Sequence, residues 1–286
     1  MCRFVLYLGP QLKLSHLITD PSNSLIYQSF NSRERAEPLN GDGFGVAWYV
    51  PEASERPGVF RCISPAWSNR NLHRLAEVTK SGCILAHVRA ANRGVIATET
   101  NCHPFTHGRY AFMHNGDVGG FQQIRRPLLD LLSDEAFENI EGTTDSEHLF
   151  ALFLDRIKET NSPNPAEALG QALRACVAQV LELSKAVGVE EPSYLNLAVA
   201  DGHCAAVLRL TTDPNGQAES LHYTDGRRYV CTGGVCRMLH PETDGPAVIV
   251  SSEPLSQDPG WQFVPPNHLL LVRTDHMITL EPWTSI

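Results

Sequence analysis

The chain has 286 residues, 42% hydrophobic and 19% charged, enough for a sizeable buried core in one large domain or two small ones. Its 32 acidic and 23 basic residues give a formal charge of −9, and with no basic run or basic amphipathic helix a nucleic-acid interface is not indicated. No stretch approaches a membrane span, and Phe4 to Leu8 is too short for a signal-peptide core, so a cytoplasmic protein is expected.

In chain order, Cys2–Leu8 reads as a buried strand, "LSHLIT" as a short helix and "QSFNSRERAEPLNGDG" as a long polar loop. Gly43–Val50 and "VFRCI" read as strands, "SNRNLHRLAEVTK" as a helix capped by Ser68, and "CILAHVRAA" as another strand. "YAFMHNG" is a strand closing on an Asn-Gly turn signal. Leu149, Phe150, Phe153 and Ile157 follow helical spacing, as do Leu169, Leu173, Cys176, Val177 and Val180. "LNLAVA" and "CAAVLRL" flank Asp201-Gly202 as a hairpin, and "AVIVSS", "HLLLVRT" and "MITLEPW" complete a β-rich end. Strands, helices, then strands predict an α+β fold with helices on sheet faces. No repeat or clean linker interrupts it, so residues 1–286 are expected to form a single domain. The eight cysteines lie scattered, mostly in apolar segments, and are expected as reduced thiols.

Four features could carry chemistry. Loss of Met1 would leave Cys2 with a thiol and a free α-amine on one residue. Their ordinary pKa values, ~8.5 and ~7.7–8.0, let the amine act as general base for the thiol. Without that context, Cys2 is simply a small apolar strand residue. In "AHVRAANRG", Arg89 stands at a strand end beside small residues, where a guanidinium can hold a carboxylate by two parallel bonds, or can simply be a surface arginine. In "FMHNGDV", the Asn115 amide and the backbone N–H of Gly116 can converge as an oxyanion hole, though the pair also suits a plain turn. His114 beside them would orient the loop or pack inside. In "GTTDSEHLF", Thr144 and Glu147 form a capping box, with Asp145 in the first helical turn available to a substrate ammonium. Together the four suit an α-amino acid with an acyl group at its far end, such as a γ-glutamyl group.

Metal chemistry is not expected. The chain has 12 histidines, but Pro104 breaks any helix through "HPFTH", and Cys231 and Cys236 lack zinc-knuckle spacing. No cofactor is expected either.

"MCRF", "NGDGFGVAWY", "AHVRAA", "NCHPF", "MHNG" and "GTTDSE", in this order, resemble the class II glutamine amidotransferases. Over nearly the whole chain, including "PAWSNRNL", "PSYLNLAVADG" and "SSEPL", the similarity is to the glutathione-degrading members of the fungal DUG pathway. The ergothioneine-pathway γ-glutamyl hydrolases are more distant. The resemblance implies the N-terminal nucleophile hydrolase fold, an αββα sandwich of two mainly antiparallel sheets between helical layers. It implies Cys2 as nucleophile, Asn115 and Gly116 as oxyanion hole, and Arg89 and Asp145 as holders of the glutamyl carboxylate and amine. It also implies a small γ-glutamyl substrate, glutathione or glutamine, and a metallopeptidase-like partner subunit. After Arg89 the sequence departs from synthase-linked members, with Ala-Ala-Asn-Arg-Gly where those have Trp-Ala-Thr-His-Gly. The departure adds Arg93 as a second candidate cation near the carboxylate. With no second catalytic segment to consume ammonia, hydrolysis is expected. The alternatives are a glutaminase subunit feeding a separate synthase and a non-catalytic γ-glutamyl binding module.

Overall fold

A computed structural model describes residues 2–34, 39–90, 97–216, 218–224, 228–232, 235–239 and 245–284. Strand β1 (Arg3–Lys13) leads into two short helices, α1 (Ser15–Ile18) and α2 (Leu25–Asn31). Hairpin β2 (Phe44–Val50) and β3 (Ser54–Cys62) follows, then α3 (Arg70–Val78) and β4 (Lys80–Val88). A second hairpin, β5 (Phe105–His107) and β6 (Tyr110–Asp117), precedes α4 (Phe121–Leu129), α5 (Asp134–Glu138), α6 (Asp145–Glu159) and α7 (Pro165–Ala186). The chain then returns to strands through β7 (Tyr194–Ala200), β8 (Ala205–Thr211), β9 (His222–Thr224), β10 (Arg228–Thr232) and β11 (Val235–Leu239). It ends with β12 (Val248–Ser251), β13 (Trp261–Phe263), β14 (His268–Val272) and β15 (Ile278–Pro282).

Among the described residues, one sheet has the order β13-β9-β12-β1-β4-β2-β3 and a second the order β15-β14-β8-β7-β6-β5, with β10 and β11 as a separate hairpin. Adjacent strands run antiparallel throughout. Side chains alternate across each strand, so β1 serves two cores. Phe4, Leu6 and Leu8 meet Ala111, Met113 and Val207 of the other sheet, while Val5 and Tyr7 pack with Leu17, Leu25 and Leu72 from α1, α2 and α3. On the far side, Phe112 and Leu197 of the second sheet pack with Phe153, Leu173 and Val177 of α6 and α7. The order of layers is helix, sheet, sheet, helix. Burying each of these large apolar side chains stabilises the fold by about 1.5–3 kcal/mol before conformational entropy is counted.

Helix starts follow local chemistry. Asn164 accepts from the Ala166 amide ahead of Pro165 to open α7, and Thr144 accepts from the Glu147 amide at 3.2 Å to open α6. The cap of α3 lies one residue beyond the expected Ser68. Asn69 accepts from the Leu72 amide at 2.9 Å, while Ser68 ends a short 3₁₀ turn. Helix α2 also runs through Asn31, claiming the start of the expected polar loop.

Two further expectations are corrected. Asn115-Gly116 is not a turn, because β6 pairs with β7 without interruption from Ala111 opposite Ala200 to Asp117 opposite Tyr194. Long-range pairing overrides the local turn signal. Glycine is needed at 116 for room, since a Cβ there would lie 1.8 Å from the Tyr194 carbonyl oxygen. Nor are all the cysteines reduced thiols: Cys231 and Cys236 face each other across β10 and β11 and form a disulfide, while the other six carry none.

Candidate active site

The candidate nucleophile lies where the sheet register brings two segments together. Arg3 pairs with Val88, so Cys2 lies beside the chain leaving β4, and its Sγ is 3.6 Å from the Ala90 carbonyl oxygen. Arg89 is fixed by its backbone, with its N–H donating to Gly43 at 2.8 Å and its carbonyl accepting from Asp42 at 3.1 Å. Its side chain is buried, and Nη1 has no hydrogen-bond partner among the described residues. Cys2, Arg89, His103, Gly116, Asp117 and Asp145 all line one cavity of about 450 Å³.

The second sheet supplies the opposite wall. Gly116 faces the cavity from the end of β6, and Asp145 opens α6 beside it. The Asp145 carboxylate accepts from the Val118 amide at 2.8 Å through Oδ2 and from the Ser146 amide at 2.7 Å through Oδ1. It is thereby tied to both the helix start and the end of β6. The capping box is only half formed. The Glu147 carboxylate takes the Glu141 and Gly142 amides at 2.8 and 2.7 Å, bracing the turn before the helix. His114 joins the same elements: Nε2 donates to the Tyr194 carbonyl at 3.1 Å, and Nδ1 lies 2.9 Å from Ser146 Oγ. The side chain of Asn115 is fully buried, and neither its oxygen nor its nitrogen finds a partner among the described residues. Arg93 lies outside the described residues.

Two groups that sequence reasoning did not assign stand in this wall. His103, from "NCHPF", is buried on the cavity with both ring nitrogens unpartnered among the described residues, and its ring packs against that of His87, tilted by 31° with centroids 4.3 Å apart. Burial holds His103 well below the usual histidine range, helped by the neighbouring His87. Burial likewise lowers His87 to about 3. Asp117 is held above the usual carboxylate range, first by burial and then by the charge of Asp145. In the sequence, "HPFTH" raised His103 only as a metal ligand, a reading set aside because of Pro104; its sheet-to-sheet position was not visible there. Among the described residues, no three His, Cys, Asp or Glu side chains gather to hold a metal.

A half-buried thiol, a buried guanidinium, a strand-end backbone amide and a helix-start carboxylate around one cavity can receive a small zwitterion with an acyl arm. Comparison with known proteins identifies the family. The family described as "Glutamine amidotransferases class-II" matches residues 13–284. The chain is 41% identical over 302 residues to "Probable glutamine amidotransferase DUG3" of Saccharomyces cerevisiae, covering 99% of this chain and 84% of that protein. It is 29% identical to "Gamma-glutamyl-hercynylcysteine sulfoxide hydrolase" of Mycolicibacterium smegmatis, covering 97% of this chain and 98% of that one. Among solved structures, a glutamine aminotransferase class-II domain protein from Silicibacter pomeroyi superposes with a TM-score of 0.67 at 28% identity, covering 99% of this chain and all (100%) of the other. The allosteric regulatory enzyme of purine biosynthesis, at 16% identity and a TM-score of 0.64, shares the fold over 100% of this chain and 50% of its own. The chain is an enzyme and belongs to the class II glutamine amidotransferases.

Proposed function

We propose that the protein hydrolyses a γ-glutamyl amide, with glutathione as the substrate, through a thioester on Cys2. The observation that carries this reading is the single cavity lined by Cys2, Arg89, Gly116 and Asp145. In this reading Met1 is removed and the whole chain serves as one catalytic domain in the cytoplasm. The neutral α-amine of Cys2 takes the thiol proton, and the thiolate attacks the γ-carbonyl carbon. The resulting oxyanion is held by the Gly116 N–H and the Asn115 amide, the latter after its side chain turns to the substrate. The ammonium of Cys2 returns its proton to the leaving nitrogen as the C–N bond breaks, releasing Cys-Gly. Water then adds to the thioester, and glutamate leaves as the thiol is restored. Arg89 pairs with the glutamyl α-carboxylate and Asp145, its carboxylate already held by the Val118 and Ser146 amides, with the α-ammonium.

Support for a γ-glutamyl substrate over glutamine alone comes from the mycobacterial relative, whose name carries a γ-glutamyl compound larger than glutamine. The test is purified protein with glutathione, glutamine and other γ-glutamyl compounds, with glutamate release followed by mass spectrometry. Glutathione is expected to be turned over with the highest kcat/KM. Preference for glutamine would replace this reading with that of an ammonia-delivering subunit. Binding without turnover, in protein shown by intact mass to begin at Cys2, would leave only a binding module. A metallopeptidase-like partner belongs to the same proposal, and co-purification from the native source tests it.

A further inference from the structure

We infer that Arg3 is a positioning residue for Cys2, acting through a buried ion pair with Glu253 and through a segment shared by both sheets. The inference rests on Cys2 being the nucleophile, and it adds a residue that the reaction as described does not use.

The Arg3 side chain is completely buried, an expensive place for a charge unless its donors are used. Nε donates to Glu253 Oε1 at 3.1 Å, Nη2 to Ser32 Oγ at 2.9 Å, and Nη1 to the carbonyl oxygen of Cys2 at 2.9 Å. The last bond is the informative one. It fixes the peptide plane that follows the Cα of Cys2, the atom bearing both thiol and amine.

Glu253 is buried as deeply and is crowded with donors. Its carboxylate also accepts from the Ser32 hydroxyl at 2.5 Å and from the Arg33 and Glu34 amides at 3.1 and 3.2 Å. One neighbour along, Ser252 clamps Phe4 in both directions, its hydroxyl accepting from the Phe4 amide and its own amide donating to the Phe4 carbonyl, each at 3.0 Å. Residues 252 and 253 therefore hold the first two residues of β1, directly after the nucleophile.

The network then crosses to the other sheet. Arg3 Nη1 lies 3.9 Å from the Glu219 carboxylate. The Glu219 carbonyl accepts from Arg209 Nε at 2.7 Å and, with that of Ser220, from Asn196 Nδ2 at 3.2 Å. The Ser220 hydroxyl donates back to the Ser252 carbonyl at 2.9 Å. Asn196 is the cross-strand partner of Asn115. Segment 219–220 is thus gripped by the strand beside the oxyanion-hole strand on one side and by the Arg3–Glu253 group on the other. Nucleophile and oxyanion donor come from different sheets, and this is a polar link between them at the site. A planar guanidinium suits the task, with one nitrogen for each of Cys2, Ser32 and Glu253, whereas an ammonium gathers its donors on a single nitrogen.

The experiment compares Arg3→Lys, Glu253→Gln and the milder Ser32→Ala with wild type, using protein shown to be folded by circular dichroism. Iodoacetamide labelling of Cys2, located by peptide mass spectrometry across pH 6–9, reports nucleophile geometry and needs no substrate. In Arg3→Lys, kcat for the γ-glutamyl substrate is expected to fall roughly 10- to 100-fold with KM little changed, as for a misplaced reacting group. Labelling is expected to slow, with a displaced pH profile. Ser32→Ala is expected to show a smaller loss in the same direction, which keeps the test decisive if the charged variants do not fold. Wild-type kcat and labelling in folded variants, with only the melting temperature lowered, would overturn the assignment. If no γ-glutamyl compound is turned over while labelling still depends on Arg3, the positioning role stands and the proposed substrate fails.

Discussion

Asn115 spends a fully buried amide on no partner among the described residues, a cost of about 1–3 kcal/mol that a tightly packed strand does not otherwise require. A donor that engages a developing negative charge would recover that cost. In the proposed reaction, Asn115→Ala is therefore expected to lower kcat about 100- to 1000-fold, roughly 2.7–4 kcal/mol, with KM little altered. Steady-state kinetics on protein with an intact melting transition check this; a rise in KM alone would make Asn115 a binding residue. Arg89 supports a different expectation. Its Nη1 is also unpartnered among the described residues, so Arg89→Lys, which keeps the charge but loses the fork, should raise KM sharply and change kcat less. Isothermal titration of the glutamate product measures the same loss directly. Cys2→Ala should abolish turnover while retaining that binding.

Between residue and molecule stands the start of α6, where one turn does several tasks. Thr144 caps the helix, Glu147 braces residues 141 and 142, and Asp145 hangs between helix and strand. Thr144→Ala should cost about 1 kcal/mol of stability, since an orphan amide loses its acceptor. It should also raise KM severalfold, because the Asp145 carboxylate is aimed by the turn being loosened. A urea titration and a KM measurement test the two halves. This helix was legible in the sequence, because capping and apolar spacing are local signals. So were β1, β4 and the β7–β8 hairpin, whose apolar runs are bounded by turn residues. Asn115-Gly116 misread as a turn because pairing with β7, nearly eighty residues away, decides its conformation. The short strands β9, β10, β11 and β13 were missed because three to five residues carry too little periodicity to register. Of the site, the sequence singled out Cys2, Arg89, Gly116 and Asp145, and the structure places these four on one cavity. The roles of His103 and Asp117 as cavity wall depend on which sheet faces which, and no local pattern encodes that.

The molecule as a whole carries imidazoles between its sheets that resist protonation. His87, held at about 3, and His103, held well below its usual range, stay neutral in the folded chain, whereas an unfolded chain takes up protons near ~6.5. Above that pH both states are neutral and the pair contributes no slope. Below it the unfolded state binds more protons, so stability falls as pH falls, by up to about 1.4 kcal/mol per pH unit for each imidazole, until the folded pKa is reached. Urea midpoints at pH 7.5, 6.5 and 5.5 should decline, and His87→Asn should flatten the decline. A midpoint that does not move would mean the imidazoles are charged inside the fold. At this scale the placement of β1 has one more consequence. It is flanked by β12 and β4 in the middle of the seven-stranded sheet, so it cannot peel away to make room at its beginning. Residues fused ahead of Cys2 must start at the wall of the cavity, tethered there at an effective concentration on the order of millimolar. In the proposed reaction, an affinity tag at that end would crowd the cavity and lock the Cys2 α-amine in a peptide bond, so turnover should appear only once trimming lets the chain begin at Cys2.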